Sequence, residues 1–120
     1  MNEHVKPCNR DEEFYFKEGC YITEISNSSQ DPEVSIALAR VEQGKRTRWH
    51  WLNDTFERYV ILKGKGSVEI GADKPAEVSE GDVVLIPPQT RQRITNIGEG
   101  DLEFFAICTP RFNHNNYHSL

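Results

Sequence analysis

The chain has 120 residues, of which 37% are hydrophobic and 28% charged, and its formal net charge is −5. This length suits one domain, and the composition is typical of a globular chain and not of a disordered one. The negative charge argues against partners such as nucleic acid or an anionic membrane surface, and no segment approaches the roughly 20 consecutive apolar residues of a membrane-spanning helix.

Three cysteines, Cys8, Cys20 and Cys108, form no CxxC pair and leave an odd count. Such a set indicates a reducing compartment. The first 13 residues are polar and acidic and do not resemble a secretory signal. We therefore expect a cytoplasmic protein with a single domain over residues 1–120.

Short runs of strand-forming residues follow one another along the chain. An aromatic run at 14–16 stops at Gly19, the run 21–25 follows, and residues 34–39 alternate between two faces with the period of a strand. Further runs lie at 48–52, 56–63, 67–70, 83–86, 92–96 and 102–109, with turn residues between them. Many short strands with regular turns predict an all-β sandwich, jelly roll or barrel.

Several local expectations accompany this pattern. The continuous apolar run 83–86 predicts a strand that is buried on both faces. Helical turns are expected near Asp11 and in the tail. The barrel would carry an N-terminal strand extension at about residues 1–25 and a short C-terminal tail at about 111–120.

Two histidines in the tail, His114 and His118, are four residues apart. On a helix this spacing can bind a metal ion. No acidic residue lies between them, and the segment is polar, so the sequence favours a solvated, partly ordered tail.

One stretch combines a histidine, a carboxylate and a tyrosine on one predicted face. His50 and Leu52 lie two apart and share a face if they are on a strand. If residues 53–56 form a hairpin loop, Leu52 pairs with Glu57 and His50 with Tyr59, so that all four line one patch. Since a buried carboxylate needs a cation or strong hydrogen-bond donors, Glu57 makes this patch a candidate site.

Two segments resemble the motifs of the cupin family. The first motif is matched by glycine, histidine, glutamate and glycine in the right order, but the family has histidine where Leu52 stands; the positions are Gly44, His50, Leu52, Glu57 and Gly64. The second is matched with the same spacing, but the family has glycine at Gln89 and histidine at Gln92; the positions are Gly81, Pro87, Gln89, Gln92 and Asn96. The resemblance implies a double-stranded β-helix, or jelly-roll barrel.

The same resemblance implies a site for a divalent metal ion. The family holds its metal with three histidines and one glutamate, and here His50 and Glu57 match ligand positions directly. Gln92 replaces one histidine with an amide oxygen, and Leu52 cannot coordinate. The resemblance thus implies manganese, iron, nickel or zinc held by His50, Glu57 and Gln92, or a cupin that has lost its metal.

Three functions remain open at this point, and the sequence does not decide whether the chain is an enzyme. One is a structural or interaction protein that uses the face of Trp49 and Trp51; the other two place a small molecule in the barrel. The first is a metal-dependent enzyme of isomerase or dioxygenase type on a small polar or anionic substrate, with Arg48 as an anion clamp and Tyr59 as a proton donor. The second is a metal-free cupin that acts as a small-molecule binding or regulatory module. It predicts an apolar wall at Leu52 and a cation paired with Glu57.

Trp49 and Trp51 alternate with His50 and therefore face outward. Two tryptophans on an outer face are expected to pack under the N-terminal strand or in a subunit interface. Arg91 and Arg93 face outward as well, beside the inward Gln92. Together with the resemblance to cupins, this face favours a homodimer.

Overall fold

The computed structural model describes residues 4–120 and consists of two antiparallel β-sheets with no α-helix in that range. The strands are β1 Phe14–Phe16, β2 Cys20–Ser26, β3 Ser35–Val41, β4 His50–Leu52, β5 Phe56–Lys63, β6 Lys65–Ile70, β7 Ala76–Ser79, β8 Val83–Ile86, β9 Gln92–Asn96, β10 Leu102–Thr109 and β11 Tyr117–Ser119. The first sheet has the order β1-β2-β3-β10-β5-β8 and the second β11-β4-β9-β6-β7. The predicted all-β jelly-roll fold is confirmed.

Short 3-10 turns at Arg10–Glu12 and His114–Asn116 are the helical elements of the described range, near the two places where helical turns were expected. Within residues 4–120 no helix has the length and apolar character to cross a membrane.

The core lies between the two sheets because alternate residues of each strand point inward. On β9, Gln92, Ile94 and Asn96 are buried, as their period-2 spacing predicted. Ile94 packs in one cluster with Ile61 of β5 in the facing sheet. Burial of each such isoleucine side chain contributes roughly 1.5–3 kcal/mol to the stability of the fold.

The predicted β4–β5 hairpin is wrong. β4 pairs with β9 and β11 in the second sheet, whereas β5 pairs with β10 and β8 in the first. The turn at Asn53 and Asp54 therefore carries the chain from one sheet to the other, and Asp54 adopts a φ of 52° there. The inward faces of β4 and β5 oppose each other across the barrel, so His50 and Glu57 still look into the same interior.

The prediction that residues 83–86 are buried on both faces is wrong. Val84 and Ile86 are buried, but Val83 and Leu85 are 57% and 59% exposed. The reason is that Val83 and Leu85 point outward from the first sheet, and no other layer of residues 4–120 covers them there.

The C-terminal segment is ordered and is not a solvated tail. β11 pairs with β4, where Tyr117 lies opposite Leu52 and is itself buried. His118 stacks on Trp51 with ring centroids 4.2 Å apart. The spacing of His114 and His118 is not helical, because the first lies in the 3-10 turn and the second on the strand.

Trp49 is covered by its own chain. The guanidinium groups of Arg91 and Arg93 lie 4.4 and 4.3 Å from the centre of its ring, and Arg93 also forms an ion pair with Glu69. Cation–π contacts of this kind make an aromatic outer face tolerable in water. The Trp49 and Trp51 face therefore does not require a partner subunit.

One backbone position gives a test of the β5–β6 turn. Gly64 has φ +91°, and a Cβ there would lie 2.9 Å from the carbonyl oxygen of Asp101. Gly81 has nearly the same φ, +90°, but an added Cβ would meet nothing within 4 Å. Both alanine variants lose about 1–2 kcal/mol from backbone strain.

We expect Gly64→Ala to lose measurably more stability than Gly81→Ala in denaturant titrations. The extra loss measures the contact with Asp101. Equal losses would contradict the close approach of the two segments.

Candidate functional site

A cavity of about 60 Å³ lies inside the barrel between the two sheets. Both sheets contribute to its wall, and so do the chain segments before β2 and after β10. Its apolar wall is formed by Phe14, Phe16, Ile22, Ala37, Ala39, Leu52, Phe104, Ala106, Phe112 and Tyr117. Its polar groups are Glu18, Glu24, Ser35, His50, Glu57, Tyr59, Cys108 and His114. An apolar cavity with a few convergent polar groups is the usual form of a small-molecule site.

His50 is held at both ring nitrogens. Its Nδ1 lies 2.8 Å from the carbonyl oxygen of Arg48, and its Nε2 lies 3.0 Å from Oε2 of Glu18. Its side chain is only 3% exposed. A carbonyl oxygen accepts hydrogen bonds, so Nδ1 carries a proton. A second proton is then shared between Nε2 and the carboxylate of Glu18.

Glu18 is a site residue that the sequence analysis missed. It lies in the connection between β1 and β2, outside both motif segments, and its Oε1 accepts a hydrogen bond of 3.1 Å from Sγ of Cys20. A turn residue belongs to no periodic pattern of hydrophobic and polar residues, so the sequence pattern could not identify Glu18. Gly19, with φ 102°, directs the chain so that Glu18 reaches the cavity.

Glu57 is buried, with 8% of its surface exposed, and it is hydrogen-bonded to neutral groups. Nε2 of Gln92 donates to its Oε1 at 2.8 Å, and Sγ of Cys108 donates weakly to its Oε2 at 3.7 Å. Burial, and secondarily the charge of Glu18, raise the pKa of Glu57 to about 7, although His50 and the two donors act against the rise. The cation that the metal-free alternative placed beside Glu57 is not found among residues 4–120.

Tyr59 and Gln92 complete a hydrogen-bonded chain that ends at Glu57. The Tyr59 hydroxyl donates to Oε1 of Gln92, whose Nε2 donates to Glu57. Gln92 also lies directly opposite His50 in the β4–β9 pair. Burial keeps the pKa of Tyr59 well above its usual value, so its hydroxyl stays protonated and acts as a donor.

The donor set does not fit a divalent metal ion in this arrangement. The amide oxygen of Gln92 is engaged by Tyr59, and its amide nitrogen, which cannot coordinate, faces Glu57. Both nitrogens of His50 are engaged, and Leu52 places an apolar wall at the fourth ligand position. Residues 4–120 hold no group of three His, Cys, Asp or Glu residues arranged for a metal. The metal assignment to His50, Glu57 and Gln92 stays a prediction.

The two predicted catalytic residues are placed differently. Tyr59 is buried in the cavity wall, where its hydroxyl contacts Gln92 and not His50 as expected. The side chain of Arg48 is exposed and does not line the cavity, because β4 begins only at His50. The structure thus brings His50, Leu52, Glu57, Tyr59 and Gln92 together and leaves Arg48 outside.

The two buried thiols, Cys20 and Cys108, point toward carboxylates. Burial, together with the charges of Glu18 and Glu57, raises the pKa of both thiols far above the usual value. They remain protonated and act as weak hydrogen-bond donors rather than nucleophiles.

Comparisons with known proteins agree with this architecture. The cupin domain family matches residues 37–108. The protein MJ1618 of Methanocaldococcus jannaschii is 34% identical over 100 residues, which cover 82% of this chain and 79% of that protein. The crystal structure of MJ0764 from the same organism, an RmlC-like cupin, has a TM-score of 0.72 at 23% identity and covers 92% of this chain and 94% of its own. Pac13, a nucleoside dehydratase, has a TM-score of 0.78 at 19% identity and covers 97% and 91%.

Proposed function

This chain belongs to the cupin family, and from that premise we propose that its barrel cavity binds a small organic molecule and transfers protons to and from it. One observation carries the proposal: the His50–Glu18 pair and the Glu57 carboxylate line the same apolar cavity from opposite sheets and flanking chain. Histidine–carboxylate pairs and desolvated carboxylates are the groups that act as general acids and bases.

The two groups suit a reaction in which a proton is removed at one position and delivered at another. The His50–Glu18 pair shares one proton at Nε2, and Glu57 is a second carboxylate, oriented by Gln92 and Tyr59. Isomerisation and elimination both need such a pair. Metal-dependent oxidation by dioxygen, the other reaction type that the resemblance suggests, needs a redox metal, for which this donor set is not arranged.

The structural neighbours support a small-molecule role for the fold. Pac13 is a nucleoside dehydratase, and a Streptomyces Pac13 variant with uridine has a TM-score of 0.81 to this chain at 19% identity. At this identity the likeness concerns the fold alone. The reaction class proposed for this chain therefore depends on its own residues.

The experiment is deuterium incorporation at carbon. The protein is incubated in deuterated water with a panel of small ketones, aldehydes and amino-ketones, and exchange is followed by NMR. We expect catalysed exchange with a subset of the panel and a loss of about 100-fold or more in Glu57→Gln and His50→Gln. Glu77→Gln removes the same charge from an exposed position on β7 and should leave exchange unchanged.

Two outcomes would redirect the proposal. Exchange that survives both cavity substitutions would contradict it. Compounds that bind in the cavity without any exchange would favour the alternative, a binding or regulatory module, which the apolar wall at Leu52 also suits. The Ala106→Phe variant tests whether binding occurs in the cavity, because the larger side chain on β10 fills that space and should abolish binding there.

The predicted homodimer is better placed on the first sheet than on the Trp49 and Trp51 face. The outward side chains of β3, β10, β5 and β8 form one apolar surface, made of Ile36, Val60, Leu62, Val83, Leu85, Phe105 and Ile107. Leu62, Val83 and Leu85 are 38%, 57% and 59% exposed. A two-fold axis would lay this surface on its own copy.

We expect Leu85→Glu to convert the protein to monomers in light scattering after size exclusion. Ile97→Glu, at a 46% exposed apolar residue after β9, should not change the mass. A wild-type monomer, or a dimer that tolerates Leu85→Glu, would rule this surface out. The cytoplasmic location and the absence of nucleic-acid and membrane partners stay predictions.

A further inference from the structure

The wall of the cavity is acidic. It carries three carboxylates, Glu18, Glu24 and Glu57, and within residues 4–120 it includes no lysine or arginine. Its remaining titratable bases are His50 and His114. Lys17 and Arg48 are nearby in the chain, and Lys17 Nζ lies 4.7 Å from the centre of the Tyr117 ring, but neither forms part of the wall.

These charges do not balance one another. His50 is paired with Glu18 at 3.0 Å, which leaves that pair with no net charge. Glu24 is exposed at the mouth of the cavity, where His114 also lies. Glu57 is more than nine-tenths buried, and its hydrogen-bond donors are the amide of Gln92 and the thiol of Cys108, neither of which carries a charge. A buried carboxylate without a cation is costly to maintain.

Aromatic rings surround the same space. Tyr59 and Phe104 contact each other with centroids 4.3 Å apart on the wall beside Glu57, and Phe16 packs against Tyr117 at 5.2 Å. The Tyr117 hydroxyl is buried and has no hydrogen-bond partner in the described part of the chain. Aromatic faces next to a carboxylate form the environment in which proteins hold organic ammonium groups.

We infer that the cavity selects an organic cation, such as an amine with a compact apolar group, and rejects molecules that carry a phosphate or carboxylate. The inference rests on the proposed function, since it names the ligand class of that same cavity. An ammonium group beside Glu57 supplies the missing charge. Glu57 then lies beside the ammonium group and, with the His50–Glu18 pair, keeps the proton-transfer role of the proposed function.

An anionic ligand would find no lysine or arginine side chain to bind it in the cavity wall that residues 4–120 form. A phosphate or carboxylate is recognised by arginine or lysine, and the wall offers neither. This ligand class differs from the anionic substrate that the sequence analysis allowed with Arg48 as a clamp, because Arg48 lies outside the cavity wall.

The test uses three small probes of similar shape and different charge, ethylamine, ethanol and acetate, because a cavity of about 60 Å³ admits only a few heavy atoms. Dissociation constants are measured by protein-observed NMR at about pH 7.5. We expect ethylamine to bind at least tenfold more tightly than ethanol, and acetate to show no binding. In Glu57→Gln the amine should lose this tenfold preference, whereas the matched surface variant Glu77→Gln should keep it.

The outcomes separate the two claims. Ethanol or acetate binding as tightly as ethylamine, with binding abolished by Ala106→Phe, overturns the charge selection and leaves the proposed site intact. If none of the probes binds, or if their binding is unaffected by Ala106→Phe, both the charge selection and the proposed site are overturned.

Discussion

Replacing Glu57 with glutamine is expected to stabilise the protein at pH 8. Burial raises the pKa of Glu57 from 4.5 to about 7, so the folded state holds a proton that the unfolded state has already released. The carboxylate is therefore neutral in the fold below pH 7 and must ionise in a buried place above it. A shift of this size corresponds to about 3 kcal/mol of stability lost between pH 4.5 and pH 8.

Glutamine has the same shape and no charge, so Glu57→Gln should recover most of this loss at pH 8 and little of it at pH 5. The measurement is the free energy of unfolding by denaturant at both pH values, beside Glu77→Gln as the exposed control. Destabilisation at both pH values would contradict the account. It is the result expected if Glu57 were held by a cation.

The His50–Glu18 pair should show the second large effect. Removing one partner from a buried pair leaves the other charge uncompensated, which costs about 3 kcal/mol or more. The side chains of His50 and Glu18 are 3% and 14% exposed. We expect His50→Ala and Glu18→Ala each to destabilise the fold strongly, and the double variant to lose less than the sum of the two.

A double-mutant cycle separates the interaction energy between His50 and Glu18 from the destabilisation caused by the cavity that each truncation leaves. The expected coupling energy is about 1–3 kcal/mol. Strictly additive losses would show that Glu18 and His50 do not interact, and the role assigned to Glu18 would then be wrong.

The sequence predicted the fold and half of the site for a definite reason. The alternation of buried residues on β9 is the pattern of a strand, and the spacing of residues from Gly44 to Asn96 is that of the family's motifs. The predicted strands carry His50, Glu57, Tyr59 and Gln92, so their convergence could be expected. The hairpin assumed between β4 and β5 was wrong because a two-residue turn signal does not say whether the chain stays in one sheet.

The other half of the site comes from segments whose sequences show no regular alternation of hydrophobic and polar residues. Glu18 sits in a turn, and β11 is a short strand, Tyr117–Ser119, that forms because β4 offers unpaired backbone groups. Tyr117, which covers His50 at 5.2 Å, is thus invisible to pattern analysis. The hydrogen bonds that turn Gln92 away from a metal depend on side-chain orientation, which no motif encodes.

The central claim is that the cavity works through its own side chains, and the most direct measurement is metal content by elemental mass spectrometry. The natural protein and a variant with Leu52→His and Gln92→His, which restores the family's histidines, are grown with the same supplement of manganese, iron, nickel and zinc. We expect far less than one ion per chain in the natural protein and close to one in the variant. One tightly held ion per chain in the natural protein, lost in Glu57→Gln, would contradict the claim and return the site to His50, Glu57 and Gln92 as metal ligands.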